Sequence, residues 1–212
     1  MSPAQPAESV GSLDHLVITT PDLASACDEF EARLGVRPVE GGRHPQFGTH
    51  NALLGLGGDA YLELIAIDPS APGRESHPFG LDTVTGTGAC TFAVHPDDLG
   101  AAARVLSTLG FDVGPAGPGR RSTPEGTELS WELTSPLATG HGLVPFLIDW
   151  QGGPSPADTI APRVALTGWG ASHPEAEQIS RALESLGVPL PVVEGEPEFW
   201  VELSGPAGNW RL

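Results

Sequence analysis

Three stretches of the 212-residue chain repeat one pattern, and this internal repeat limits the possible folds more than any other feature. The stretches are residues 13–35, 89–110 and 163–187, and each begins with an apolar, strand-like run. A proline followed by an acidic residue comes next, and a helical pattern then ends in Leu-Gly, with the glycine 14, 14 and 13 residues after the proline. Proline and acidic residues favour the first turn of a helix, and glycine favours its left-handed end. The sequence therefore predicts three consecutive strand–helix units.

Apolar runs separated by turn residues follow each helix and predict further strands in every unit. The clearest hairpin lies within residues 54–68, with Gly58 and Asp59 at its turn. In the first helix, Cys27 shares one face with other apolar residues at helical spacing, which predicts a core position for this thiol. Each unit is therefore predicted to be a βαβββ module, with later strands at 36–39, 51–56 and 60–67, at 111–113, 128–134 and 143–149, and at 190–193, 199–203 and 210–212.

The repeat also divides the chain. Residues 12–150 are predicted to form one domain of two modules, 12–69 and 88–150. A Pro/Gly-rich linker, 151–162, precedes the third module at 163–212, and residues 1–11 are predicted to be a flexible N-terminus. The third copy is expected either to pair with its counterpart in a second chain, giving a homodimer, or to pack on the first two as a cap.

The composition excludes several classes of protein. The net charge of −17 disfavours partners with phosphate backbones or anionic lipid, so neither a nucleic acid nor a membrane is expected as a partner. All ten basic residues are arginine, which excludes Schiff-base chemistry on a lysine. No signal peptide and no apolar run of ~20 residues is found, which predicts a cytoplasmic protein. A small molecule, neutral or cationic, remains the expected ligand.

Four segments carry a resemblance to a known superfamily. They are LDHLVITTPDL (13–23), GGRHPQFGTHNALLGLG (41–57), YLELIAIDP (61–69) and VPFLIDW (144–150). With the βαβββ repeat, they resemble the vicinal oxygen chelate superfamily of glyoxalase I, extradiol dioxygenases and bleomycin-resistance proteins, and the first module is most similar to its glyoxalase-like domains. The resemblance implies an α+β fold in which repeated βαβββ modules form curved mixed sheets around a cavity, here with an additional third module.

The resemblance also implies a divalent metal, Zn²⁺, Ni²⁺, Mn²⁺ or Fe²⁺, bound by the first and last strands of each module. His15 matches the first-strand ligand and Glu63 the last-strand ligand, and both are suitable donors. The second module departs from this pattern, because Cys90 or its neighbour stands where a histidine is expected. One of residues 144–146, Val-Pro-Phe, stands where a glutamate is expected. Only half of the ligand set is therefore predicted.

Glu63 interrupts an apolar run, so it either faces solvent or lines a polar cavity with a partner. His15 is either a ligand or a hydrogen-bonded residue at a strand edge. If the hairpin is regular, His50 lies on the face of Glu63 about four residues along, ~13 Å away, where it would contact the far end of a bound ligand.

Three more residues are candidate substrate contacts. His44 would reach the cavity if its loop folds back. Asn51 is either a ligand contact or a loop hydrogen-bonder. Trp150 either closes the cavity mouth or packs at a sheet edge.

Two functions follow from these residues. The first is a metal-assisted lyase, isomerase or hydrolase acting on a small oxygenated metabolite, with His15 and Glu63 as catalytic residues and metal ligands. In a variant of this hypothesis, Glu63 acts as a general base without metal. The alternative is a metal-free protein that binds or sequesters a small molecule against aromatic residues such as Trp131, Phe146 and Trp150.

Overall fold

The computed structural model describes residues 13–123, 126–136, 140–161 and 163–212, so the predicted N-terminus 1–11 lies outside the described residues. The first module contains β1 (Leu13–Thr19), α1 (Leu23–Leu34), β2 (Val39–His44), β3 (Thr49–Gly57) and β4 (Ala60–Ile67). The second contains β5 (Gly88–Val94), α2 (Leu99–Thr108), β6 (Gly117–Ser122), β7 (Glu128–Leu133) and β8 (Phe146–Asp149). The third contains β9 (Ala165–Ser172), α3 (Ala176–Ser185), β10 (Val192–Val193), β11 (Glu198–Gly205) and β12 (Gly208–Arg211).

Helix α1 starts and ends where the repeat predicts, and α2 starts one residue later than the second Pro-Asp pair indicates. Asp22 and Asp98 are N-caps whose side chains accept hydrogen bonds from the backbone N–H groups of Ser25 and Ala101, each at 2.8 Å. Gly35 ends α1 in the left-handed conformation, with φ 73°. The N-cap of α1 is therefore the acidic residue of the repeat, whereas the N-cap of α2 is the aspartate one position further along.

Two predicted strands are displaced. The strand expected at 36–39 is β2 at Val39–His44, and the strand expected at 111–113 is β6 at Gly117–Ser122. Phe111 and Val113 are buried without belonging to a strand. An apolar pattern reports which side chains are buried, whereas pairing of the backbone depends on the neighbouring strand.

One curved mixed sheet unites the first two modules in the order β2-β3-β4-β1-β5-β8-β7-β6. Strand β1 is parallel to β4 and antiparallel to β5, so the first strands of the two modules meet at its centre. The edge strands approach each other: Arg121 on β6 donates to the carbonyl of Gly41 on β2, and Gln46 Nε2 donates to the Arg120 carbonyl at 3.2 Å. The sheet therefore wraps almost fully around its inner face.

The third module forms a separate sheet in the order β10-β9-β11-β12. It repeats the order of elements along the chain but not the pairing of strands. In the first module β1 pairs with the last strand, β4, whereas in the third module β9 lies between β10 and β11 and does not pair with the last strand, β12. It packs on the outer face of the large sheet and on α1, with ring centroids of Phe92 and Trp169 at 5.5 Å and of Phe30 and Trp210 at 4.8 Å. The third module is thus a cap within the chain, and a homodimer stays a prediction.

The core has two parts, separated by the large sheet. The outer part lies between this sheet, the helices and the third module, and includes Phe30, Leu62 and Phe92. The inner part lines the concave face, where Tyr61 and Phe146 lie beside polar residues. In the described residues, no helix has the length and apolarity needed to cross a membrane.

Candidate functional site

A β-bulge at the start of β1 directs two ionisable side chains towards the inside of the sheet. Leu13 pairs with Val94 and His15 with Ala93, so Asp14 is the additional residue of the bulge. His15 Nδ1 lies 2.7 Å from Asp14 Oδ1, and Trp150 Nε1 donates to Asp14 Oδ2 at 2.8 Å. Both carboxylate oxygens of Asp14 are therefore engaged, and the imidazole is held with its Nε2 edge turned away from Asp14.

Glu63 lies on the neighbouring strand β4 and is only 8% exposed. Its Oε1 accepts a hydrogen bond of 2.6 Å from Asn51 Nδ2, and its Oε2 lies 3.7 Å from His15 Nε2. Of the two alternatives for Glu63, the structure shows the second: the side chain lines a cavity and has a hydrogen-bonding partner. Glu63, His15 and Asn51 meet on one wall of this cavity, as their residue types suggested.

The hairpin has the predicted turn but not the predicted register. A bulge between Gly55 and Gly57 places Leu53, rather than Leu54, opposite Glu63. His50 consequently pairs with Ala66 and lies on the other face of the sheet, in a surface cleft beside α1. The expectation that His50 shares the face of Glu63 was wrong, because one additional residue in a strand reverses the side that each later residue faces.

His44, at the end of β2, lines the cavity and is buried. Its Nδ1 lies 3.1 Å from Thr49 Oγ1, and its ring meets that of Trp131 edge to face at 6.4 Å. Burial lowers the pKa of His44 below its usual value, so the imidazole is neutral at pH 7. His44 thus reaches the cavity as the last residue of a strand, whereas the sequence placed it in a loop that would fold back.

Aromatic rings form most of the remaining wall. His15 is stacked on Tyr61 with 4.7 Å between ring centroids and meets Phe146 edge-on at 5.5 Å. Trp150 packs on Trp131 at 5.4 Å, so Trp150 belongs to the wall and also holds Asp14. The cavity measures about 60 Å³, enough for a few water molecules or the reacting end of a small compound.

Arg121 is a cavity residue that the sequence did not reveal. It comes from β6 in the second module, is 6% exposed, and donates to the Gly41 carbonyl. Burial lowers the pKa of this guanidinium, and the charge of Glu63 acts in the opposite direction. The sequence has two adjacent arginines here, Arg120 and Arg121, and only the pairing of the strand shows which of them is buried.

The donor set does not fit a resident divalent metal. The 3.7 Å between His15 Nε2 and Glu63 Oε2 is compatible with two ligands of one ion. Aligning the helix N-caps and the parallel registers places Thr91 at the position of His15 and Phe146 at that of Glu63. Thr91 Oγ1 is engaged with the Gly142 carbonyl at 2.8 Å. Within the described ranges, no three His, Cys, Asp or Glu side chains are grouped to hold an ion.

Cys90, predicted at the position of the missing histidine, is instead the additional residue of a second bulge between β1 and β5. Its Sγ lies 3.8 Å from the Phe79 carbonyl, and burial raises the pKa of the thiol to about 11. The prediction was one residue out, because the second module has an additional residue between the proline and the N-cap, Asp98.

Comparisons with known proteins agree with this architecture. The sequence model of the glyoxalase-like domain family matches residues 13–187. A hypothetical protein from Staphylococcus aureus has a similar fold, with a TM-score of 0.60 and 16% identity over 94% of this chain and 84% of that one. A variant of 4-hydroxymandelate synthase from Streptomyces coelicolor gives a TM-score of 0.51 and 14% identity over 98% of this chain and 63% of that one.

Methylmalonyl-CoA epimerase from Mycobacterium tuberculosis is 24% identical over 68% of this chain and 90% of that one, with a TM-score of only 0.41. No curated protein matches the sequence. The family match covers most of the chain, including all of the first two modules and the helix of the third. The chain therefore belongs to the glyoxalase-like domain family.

Proposed function

We propose that the cavity is the active site of an enzyme that moves a proton on a small oxygenated molecule, with Glu63 as the general base. The observation that carries this proposal is the buried pair of Glu63 and His15, with the imidazole anchored by Asp14. Three buried ionisable groups are costly for stability, and such groups concentrate at functional sites. An isomerase or lyase reaction that begins at a carbon next to a carbonyl suits this arrangement.

The two oxygens of Glu63 have different environments. Asn51 holds Oε1 by a hydrogen bond, whereas Oε2 lies beside His15 Nε2 at the cavity. Oε2 is therefore the atom that accepts the substrate proton. When Asp14 accepts the Nδ1 proton of His15, the lone pair of Nε2 faces Oε2, so the imidazole can take the proton onward from Glu63.

Exchange of carbon-bound hydrogen for deuterium tests this proposal whatever product the natural reaction forms. Hydroxyacetone, acetoin, lactaldehyde and pyruvate serve as probes in D₂O, with loss of the α-hydrogen followed by NMR. We expect the wild-type protein to accelerate exchange of at least one probe, and Glu63→Gln to lower that rate by about 10²–10⁴-fold. Glu194→Gln, at an exposed glutamate, is the matched control. Exchange that is equally slow with wild type and Glu63→Gln for every probe would refute the proposal.

The aromatic wall favours a second candidate, a protein that binds a small molecule without changing it. Phe146 and Thr91 replace the polar ligands of the second module, and Trp131 and Trp150 offer surfaces for stacking. The same experiment separates the two functions. A binding protein would take up a probe with equal affinity in the wild type and in Glu63→Gln, with no exchange in either.

A further inference from the structure

We propose that Arg121 is the electrophile of this site: its guanidinium binds the carbonyl oxygen of an uncharged ketone or aldehyde and stabilises the oxyanion formed when Glu63 removes the adjacent proton. This inference rests on the proposed function and adds a residue from the second module. It also names the substrate class, an uncharged carbonyl compound with a hydrogen on the neighbouring carbon.

The placement of Arg121 is the first observation. The side chain is buried, lines the same cavity as Glu63, and donates to the Gly41 carbonyl. A guanidinium has five N–H donors, so further donors are available to a ligand. Among the described residues no carboxylate lies within ion-pair distance of Arg121, whereas Arg43 and Arg37, for example, contact acidic side chains. A buried cation without a contacting counterion is costly, and an anion formed in the reaction would offset that cost.

The charges of the cavity are the second observation. Asp14 and Glu63 carry negative charge and Arg121 carries positive charge. When Glu63 takes the proton, the C–H electron pair becomes the C=C bond of an enolate and the carbonyl π pair moves onto oxygen. The negative charge therefore passes from Glu63 to the substrate oxygen beside Arg121, and the total charge is unchanged. In D₂O the proton on Glu63 is replaced by a deuteron from solvent, and transfer of that deuteron to carbon completes the exchange.

This charge balance selects the substrate. A compound with its own carboxylate would add a second negative charge next to Asp14 and Glu63, whereas an uncharged carbonyl compound would not. A fixed cation at the site of a developing oxyanion is effective in a cavity that excludes water. An α-hydroxy ketone is the best match, because its two neighbouring oxygens fit the fork of the guanidinium.

Size gives the third observation. The cavity of about 60 Å³ accepts only the reacting end of a molecule. Arg121 also lines two clefts outside it, of about 510 and 830 Å³, so a longer substituent would pass Arg121 on its way out. Arg121 thus stands between the reacting atoms and the space available for the rest of a substrate.

Arg121 also joins β6 to β2 through Gly41, and a purely structural role has different consequences. The test compares Arg121→Gln, which keeps a neutral N–H donor, with Arg121→Lys, which keeps the charge. Arg120→Gln, at the exposed neighbouring arginine, is the matched control. For hydroxyacetone exchange, we expect Arg121→Gln to lower kcat by about 10²–10³-fold with KM within about threefold, and Arg121→Lys to retain part of the activity. A lower Tm with unchanged kcat would show a structural role only and overturn the inference.

A binding measurement separates this inference from the proposed function. Acetate and acetamide have the same shape, but only acetate carries the charge of an enolate. In Glu63→Gln, where the amide replaces the protonated carboxyl group, we expect NMR titration at pH 6 to show acetate binding at least about tenfold more tightly than acetamide. Adding Arg121→Gln should bring the ratio close to one.

Equal binding of the two compounds in Glu63→Gln would overturn the role of Arg121, even if exchange depends on Glu63. Preference for acetate that depends on Arg121 would support it, even if none of the probes is exchanged and the proposed function fails.

Discussion

Asp14→Asn tests most directly whether Asp14 orients His15 and stabilises the site. Asp14 is buried, and its two oxygens accept hydrogen bonds from His15 Nδ1 and Trp150 Nε1 at 2.7 and 2.8 Å. Asparagine offers one oxygen and one NH₂ group in the same volume, so its NH₂ group faces either Trp150 Nε1, which is a donor, or His15 Nδ1, which accepts only after its proton moves to Nε2. A hydrogen bond to a charged group contributes about 1.5–3 kcal/mol, and a buried donor without a partner costs about 1–3 kcal/mol.

We therefore expect Asp14→Asn to lower the free energy of unfolding by about 2–4 kcal/mol. In a chain of this size, each kcal/mol lowers Tm by roughly 2–4 °C. Urea denaturation gives the first quantity. Asp59→Asn, at the exposed hairpin turn, is the control and should change the unfolding free energy by less than about 0.5 kcal/mol.

The same substitution should alter the protonation of His15. An NH₂ group opposite Nδ1 favours the tautomer with its proton on Nε2, which then faces Glu63 as a donor instead of an acceptor. We expect the ¹⁵N NMR chemical shifts to show that Nε2 carries the proton and Nδ1 does not. Deuterium exchange of a carbonyl probe should slow by about 10²–10⁴-fold. Unfolding within about 0.5 kcal/mol of the wild type, together with an unchanged His15 tautomer, would refute the orienting role of Asp14.

Three further predictions concern pH, metal and packing. Because burial lowers the pKa of His44 in the folded protein, the unfolded chain binds the additional proton first, so stability should fall as pH decreases below about 6.5, by at most ~1.4 kcal/mol per pH unit. His44→Gln should make the unfolding free energy depend less on pH between pH 5 and 7, whereas His95→Gln, at an exposed histidine, should leave the pH dependence unchanged. Urea denaturation at each pH measures this. Since no three His, Cys, Asp or Glu side chains of the described residues are grouped to hold an ion, treatment with EDTA and then Zn²⁺, Ni²⁺, Mn²⁺ or Fe²⁺ should leave deuterium exchange within about twofold; a rate restored by one of these ions would contradict the donor-set argument. Gly41→Ala would place a Cβ 2.2 Å from Asn51 Oδ1 and should cost about 1–3 kcal/mol and slow exchange, whereas Gly117→Ala, which meets open space, should do neither.

The repeat was sufficient to predict the modules because its signals are local. A helix begins at Asp22 because that side chain caps a free backbone N–H, and α1 ends at Gly35 because glycine adopts a positive φ without strain. The turn at Gly58 and Asp59 was predicted for the same kind of reason. The pairing of the third module was not, since the choice between β10 and β12 as a neighbour of β9 depends on packing between distant segments.

Glu63 and His15 were predictable from the sequence, whereas the position of His50 and the contribution of Arg121 were not. Glu63 stood out because a carboxylate within an apolar strand needs a partner, and His15 followed from the resemblance. His50 was assigned to the wrong face because a bulge near Gly55 changes the register, and no local pattern reports a bulge of this kind. Arg121 was missed because its relation to Glu63 exists only after the two modules close into one sheet.

The sequence by itself determined the βαβββ repeat, the helix limits and one half of the site, because these depend on residues close together in the chain. Only the tertiary structure decided what the second module contributes. Thr91 and Phe146 occupy the positions of the missing ligands, and Arg121 enters the cavity from the opposite edge of the sheet. The physical reason is that bulges and sheet closure, which are set by packing across the whole domain, decide which side chains share the buried space around Glu63.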